Sequence, residues 1–163
     1  MMEQHRPSLV LDSSGVMRSS VNFMNGYFLT SASVLSELAS ERVRDAVEFG
    51  IRIGRISIKE PGAAFRARVE EAAANTGDGE ALSGADLDVL ALALEHGIPI
   101  VSDDYAVQNT AAELGVEYKT TLHDGIRKRV VWVFRCSGCS REYDAKVKTC
   151  SVCGSQVRKS SKR

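Results

Sequence analysis

Ser8-Leu9-Val10-Leu11-Asp12-Ser13-Ser14-Gly15 runs from an apolar stretch straight into an acid and two hydroxyl residues. A short uninterrupted apolar run fits a strand buried on both faces, and the polar residues after it suit the opening of a helix. The same order recurs where Ile98-Pro99-Ile100-Val101 is followed by Ser102, Asp103 and Asp104. Residues 27–30 and 116–118 are further strand candidates. Ile51, Ile53, Ile56 and Ile58 partly alternate, which predicts a strand or hairpin.

Helical spacing separates these runs. Val34, Leu35 and Leu38 mark one helix; Val43, Ala46 and Val47 mark the next, with Ser40 as its N-cap and Gly50 as its stop. Pro61 suits the first turn of a helix reaching about residue 75. Ser83 begins the clearest helix, with Leu87, Leu90, Ala91 and Leu94 on its buried face and Gly97 at its end. Residues 105–114 form another, stopped by Gly115. Short apolar strands alternating with helices predict an α/β fold, a parallel-sheet sandwich. Ligands on such sheets bind at the carboxyl ends of strands. Asp12 and Asp103/Asp104 fall at two of those ends.

A second module follows. Cys136-Ser137-Gly138-Cys139 and Cys150-Ser151-Val152-Cys153 hold all four cysteines of the chain. Each C-x2-C turn lets two thiolates reach one cation, and two such turns complete tetrahedral coordination of Zn²⁺. Gly138 and Gly154 favour the turns. Two disulfides are the competing reading; the compartment expected below and the close pairing of the motifs argue against it. A segment this small cannot bury a core unaided, so the ion supplies much of its folding free energy. Val131 and Val133, alternating with Trp132 and Phe134, read as a strand leading to Cys136. Trp132, Phe134 and Tyr143 either stack on bases or cover the metal site.

The domains expected are 1–125 for the α/β unit, 126–156 for the ribbon and 157–163 for a disordered basic tail. The chain has 163 residues, 44% hydrophobic, enough for one ordinary core and a small appendage. It contains no apolar run of about 18 residues and no signal-peptide pattern, so a cytoplasmic protein is expected. Its zero net charge hides a division. Residues 1–125 hold 10 Lys+Arg against 19 Asp+Glu, a balance of −9, and residues 126–163 hold 11 against 2, a balance of +9. A basic module of this kind either meets a polyanion such as nucleic acid or simply aids solubility.

Asp12, Glu37, Asp86 and Asp104, with Asp103 beside the last, are the candidate catalytic acids. Carboxylates from separate elements suit hard divalent cations such as Mg²⁺ and Mn²⁺. Each has a plainer reading. Asp86 lies three residues after Ser83 and can be a capping residue. Glu37 can be a polar position on an exposed helix face. Ser13, Ser14 and Ser102 can cap helices or support the acids, and Asn109 can meet phosphate or solvent. There is no GxSxG, P-loop or HExxH pattern, and His5, His96 and His123 sit in loop or helix-end contexts.

The segments Leu9-Val10-Leu11-Asp12-Ser13-Ser14, Thr30-Ser31-Ala32-Ser33-Val34-Leu35-Ser36-Glu37-Leu38 and Leu82-Ser83-Gly84-Ala85-Asp86-Leu87 resemble the three leading motifs of PIN-domain nucleases. Val101-Ser102-Asp103-Asp104-Tyr105 resembles the fourth. Thr76-Gly77-Asp78 and the four-cysteine ribbon extend the resemblance to the branch that trims the 3′ end of small-subunit ribosomal RNA. The resemblance implies that Asp12, Glu37, Asp86 and Asp104 bind Mg²⁺ or Mn²⁺, with Asp103 able to share the role. It implies hydrolysis of a phosphodiester to a 3′-hydroxyl and a 5′-phosphate. The substrate would be precursor small-subunit (16S) rRNA in the assembling small ribosomal subunit, with the ribbon's Zn²⁺ structural. The alternatives are a PIN-type toxin ribonuclease and a non-catalytic RNA-binding assembly factor.

Overall fold

The computed structural model describes residues 6–17, 26–120 and 131–161. His5, His123, the boundary expected at residue 125, and Lys162 and Arg163 lie outside the described residues. The apolar runs become strands β1 (Leu9–Leu11), β2 (Phe28–Thr30), β3 (Ile56–Ile58), β4 (Ile100–Val101) and β5 (Tyr118–Lys119). The helices are α1 (Ser13–Met17), α2 (Ala32–Glu37), α3 (Glu41–Arg52), α4 (Ala63–Thr76), α5 (Gly84–His96) and α6 (Tyr105–Leu114). The five strands pair in parallel in the order β3-β2-β1-β4-β5. Strands are added to one side of β1 and then to the other, so the β1–β4 junction is a topological switch point.

The core explains why the strands are so short and so apolar. Val10, Leu11, Leu29, Ile100 and Val101 are all buried, as a parallel sheet covered by helices requires. Helix α5 is buried from Asp88 through Ala93 without a break. A helix apolar on every side belongs inside; α5 packs on β1, β2 and β4 and also against α2, α4 and α6. Asp88 tolerates this place because Arg66 of α4 and Ser33 of α2 both hydrogen-bond to it, the latter at 2.6 Å.

Gly50 does not stop α3. The helix runs on to Arg52, and the turn follows at Gly54, whose φ is +73°. Gly50 is instead a packing glycine: a Cβ there would stand 2.6 Å from Ile56 Cδ1. Ile51 and Ile53 consequently belong to the helix end, and only residues 56–58 form a strand. Ser40 precedes α3 without a side-chain capping bond.

The ribbon is a three-stranded antiparallel sheet in the order β7-β6-β8, with β6 at Trp132–Cys136, β7 at Glu142–Tyr143 and β8 at Val157–Ser161. The basic tail expected from residue 157 is therefore not disordered up to Ser161. Charge pattern alone misled there: β8 pairs with β6 in register from Cys136↔Val157 to Trp132↔Ser161, and backbone pairing does not depend on apolar side chains. No helix of the described residues is long and apolar enough to cross a membrane.

Candidate functional site

Parallel pairing brings the ends of β1 and β4 together, and Asp12 lies at their junction. It is 1% exposed. Its Oδ1 accepts hydrogen bonds from the Gly15 amide at 2.6 Å and the Ser14 hydroxyl at 2.8 Å. Ser14 Oγ in turn accepts the Asp103 amide at 3.1 Å, which ties α1 to the loop after β4. The Ser102 hydroxyl also hydrogen-bonds Asp12, and Ser102 Oγ accepts the Asp104 amide at 3.1 Å. Two serines thus link one buried carboxylate to the backbone of both candidate acids in the fourth motif.

Burial pushes the Asp12 carboxyl up from 3.8 to about 6, against the lowering effect of Ser102, Gly15 and Ser14; the negative charge of Asp86 adds to the rise. A carboxylate held ionised here is short of positive charge. Gly15 permits the arrangement, because a Cβ would sit 2.9 Å from the Val101 carbonyl and 3.3 Å from Asp12 Oδ1. Its place after Asp12-Ser13-Ser14 was the available signal, but only a contact with another strand explains it.

The other acids differ in how they are held. Asp86 closes a capping box: its Oδ2 accepts the Ser83 amide at 2.8 Å while its own amide donates to Ser83 Oγ at 3.2 Å. It nevertheless lies close enough to Asp12 to act on its charge, so the capping and site readings are compatible. Asp104 is exposed and is the N-cap of α6, accepting the Ala106 amide at 2.7 Å through Oδ1. Asp103 is half-buried, with its backbone on the Asp12 network. Glu37 is the exposed last residue of α2, a helix that packs on α1 and α5. Asn109 does not face solvent; it is buried and donates to Asp78.

Among the described residues, the four cysteines alone bring three or more donors within 4.8 Å of one another. No three of the candidate carboxylates approach one another that closely among the described residues. In the ribbon, Cys136 Sγ lies 3.3 Å from Cys153 Sγ, and Cys139 Sγ lies 3.6 Å from Cys150 Sγ. A tetrahedral site with metal–sulfur bonds of about 2.3 Å has edges of roughly 3.8 Å, so the cluster fits a metal ion. The amides of Gly138 and Cys139 point at Cys136 Sγ, and that of Val152 at Cys150 Sγ. Tyr143 Oη donates to Cys150 Sγ at 3.1 Å. That hydroxyl, aided by the Cys153 amide, holds Cys150 down at about 5. Tyr143 therefore serves the cluster through its hydroxyl. Gly138 is needed because a Cβ would collide with Ser155 Oγ.

Residues 9–95 match the family described as the PIN domain of ribonuclease. The chain is 39% identical over 152 residues to Endoribonuclease Nob1 of Pyrococcus abyssi, covering 92% of this chain and 91% of that one. The chain belongs to the PIN-domain family and is a Nob1-like endoribonuclease. It is also 34% identical over 150 residues to Ribonuclease VapC1 of Thermoplasma acidophilum, covering 92% of this chain and 76% of that one. To the 20S-pre-rRNA D-site endonuclease NOB1 of Saccharomyces cerevisiae it is 27% identical over 135 residues, 76% of this chain but 29% of that one. The α/β unit is thus the PIN domain, and its parallel sheet and the four-thiolate ribbon agree with the resemblance read from the motifs.

Proposed function

We propose that this Nob1-like endoribonuclease cleaves precursor small-subunit rRNA at its 3′ end during ribosome assembly in the cytoplasm. The observation that carries the reading is the length of the Nob1 match. At 92% of this chain and 91% of that one it must extend beyond the PIN domain at least to Cys136 and Cys139, so the relationship reaches into the ribbon. A relative named for cleavage of 20S pre-rRNA supports the substrate class.

In this reading Asp12, Glu37, Asp86 and Asp104, with Asp103, hold Mg²⁺ or Mn²⁺, and Cys136, Cys139, Cys150 and Cys153 hold Zn²⁺. When bound, the hard ion supplies Lewis-acid activation of water and neutralises charge at the phosphate. The chain's own work is to prepare that site. Ser14, Ser102 and Gly15 fix the Asp12 carboxylate, so its position does not have to be organised during the reaction. Asp86 adds a second negative charge from the first turn of α5. Exposed Arg141 and Lys148 give the ribbon phosphate contacts that fix register rather than sequence.

The test is to incubate the protein and its Asp12→Asn variant with a precursor containing the 3′ boundary, with and without Mn²⁺, and to map the ends. The wild type should cut at one boundary only with the ion, and the variant should bind RNA without cutting. Full cleavage by Asp12→Asn would refute the assignment. The identity to Ribonuclease VapC1 keeps a second reading, a PIN-type toxin ribonuclease; preferential cleavage of transfer or messenger RNA would favour it.

A further inference from the structure

Asp78 is a buried carboxylate away from the β1–β4 junction that holds Asp12. It lies in the turn between α4 and α5 and is 3% exposed. Its Oδ2 accepts a 2.6 Å hydrogen bond from Asn109 Nδ2 of α6, a residue itself 1% exposed. Its Oδ1 lies 3.9 Å from Lys159 Nζ, which belongs to β8 of the ribbon. Lys159 Nζ also stands over the ring of Trp132, 5.1 Å from its centroid, at the start of β6. One residue before Asp78, Gly77 has a φ of +79°, and a Cβ there would be 2.8 Å from Trp132 Cβ and 3.1 Å from its carbonyl oxygen. Lys146 Nζ of the ribbon reaches Glu80 at 3.3 Å.

These contacts converge on one turn. The Lys146–Glu80 pair is exposed and contributes little. The close approach at Gly77 and the burial of Asp78 are different: each is costly unless the ribbon or α6 is there to meet it. A turn that needed only to connect two helices could leave its acid in water. A buried carboxylate shared between a neutral amide and a cation from separate elements instead specifies geometry. The elements it joins are informative. The turn leads within a few residues into Ser83 and Asp86, and Asn109 sits on the helix that Asp104 caps.

We propose that Asp78 is a positioning residue: through Asn109 and Lys159 it keys the ribbon to the two helices that present Asp86 and Asp104. Ribbon and cleft then form one rigid surface, with a set spacing between the RNA segment that is gripped and the phosphate that is cut. The proposal rests on the nuclease reading above for its consequence, but not for the docking itself.

The experiment uses the full zinc-loaded chain with Asp78→Asn and, separately, Lys159→Met. Lys159 has a half-exposed side chain, so its variant keeps the test decisive if Asp78→Asn folds poorly. Backbone ¹⁵N relaxation reads whether the PIN and ribbon amides share one rotational correlation time. Cleavage is followed on the 3′-boundary precursor and on a short unstructured oligoribonucleotide. The wild type should tumble as one body and cut the precursor at one position. In either variant the ribbon amides should tumble faster than the PIN amides. Its mapped precursor ends should spread over several positions while cleavage of the short oligonucleotide stays within about twofold. A common correlation time in both variants would overturn the docking role, and separate tumbling with unchanged ends would overturn the spacing role. If the wild type cuts neither RNA, the nuclease reading fails, and the relaxation data still decide the docking.

Discussion

Replacing Asp12 by asparagine should stabilise the protein when no hard divalent ion is present, even as it removes activity. The carboxyl is raised from 3.8 to about 6, chiefly by burial. That difference corresponds to about 3 kcal/mol by which the folded state disfavours the ionised form. At pH 7.5 the acid is ionised in both folded and unfolded chains, so the wild type bears the whole penalty. Asparagine is neutral and nearly isosteric, and its carbonyl oxygen can still accept from Ser14 and Gly15. The Ser102 contact must rearrange, so the net gain expected is about 1–3 kcal/mol. The pH dependence has a definite sign. A raised folded-state pKa means the native chain binds the proton more tightly, so stability from this group is greatest in acid and is lost as pH rises through about 6. Lowering the pH from 7.5 to 5 should therefore return about 1.4 kcal/mol to the wild type and none to the variant.

The assay is urea unfolding of zinc-loaded protein dialysed free of Mg²⁺ and Mn²⁺, without chelator. All six helices of the described residues precede residue 115, so far-UV circular dichroism follows the PIN domain. Trp132, the one tryptophan of the chain, follows the ribbon. Added Mn²⁺ should then stabilise the wild type, by about 2.7 kcal/mol at a concentration 100-fold above its dissociation constant, and leave the variant where it was. The variant's advantage is thereby cancelled or reversed. A variant less stable than wild type in the ion-free state, or one that gains as much from Mn²⁺, would refute both the burial argument and the place of Asp12 in an ion site.

Tyr143→Phe removes the hydroxyl that donates to Cys150 Sγ; ribbon metal affinity should fall by about 10–100-fold in a competition with a colorimetric chelator. Arg66→Met leaves the buried Asp88 carboxylate with Ser33 but without its guanidinium partner. Because Arg66 is itself one-third exposed, the loss should be about 1–3 kcal/mol by urea unfolding, and a paired Asp88→Asn should recover part of it. Gly50→Val drives a side chain into Ile56, 2.6 Å from Cδ1 to the new Cβ, and should cost about 1–3 kcal/mol unless Ile56 is shortened to alanine in the same protein.

Most of the PIN sheet was legible because β1, β2 and β4 are short, largely buried runs that leave no alternation to misread. The helix over residues 105–114 was legible to the residue, since Asp104 and Gly115 are ordinary start and stop signals and both act as such. Gly50 misled because a glycine that ends a helix and one that admits a neighbour look alike in sequence; the neighbour, Ile56, lies across a turn. β8 misled because Arg158-Lys159-Ser160-Ser161 carries no apolar pattern; its strand is set by backbone pairing with β6 and by tertiary contacts of Lys159. The acids were legible as candidates but not as a set. Position after an apolar strand points to Asp12, yet nothing local reveals that Ser14 and Ser102 join it to Asp103 and Asp104 across the switch point. In sequence, Asp78 stands only as the end of a Thr76-Gly77-Asp78 motif and Asn109 as a helix residue suited to phosphate or to solvent. Their 2.6 Å bond is a tertiary fact, spanning residues that no periodicity relates.

The two candidate ion sites are also separated by chemistry, and that separation bears on how the chain handles RNA. Four thiolates suit a borderline-soft ion and close its coordination, whereas carboxylates and hydroxyl-supported oxygens suit a hard one and leave room for phosphate. A hard ion would be held poorly by the four thiolates, so the ribbon site selects against the ion of the carboxylates. The acidic domain, at −9 over residues 1–125, repels a polyanion most strongly at the cleft where Asp12 and Asp86 already repel each other. The same hard ion relieves both repulsions. The ribbon supplies attraction that does not depend on that ion, because its basic residues remain in excess after a closed thiolate site is formed. RNA affinity and ion occupancy of the cleft should thus be only partly coupled: removing Mn²⁺ weakens the cleft's hold while the ribbon's remains. A salt titration of RNA binding should give nearly the same slope with and without Mn²⁺, because the counterions released are those displaced by the ribbon. A slope that collapses when Mn²⁺ is withdrawn would place the main RNA grip at the carboxylates and refute this division of work.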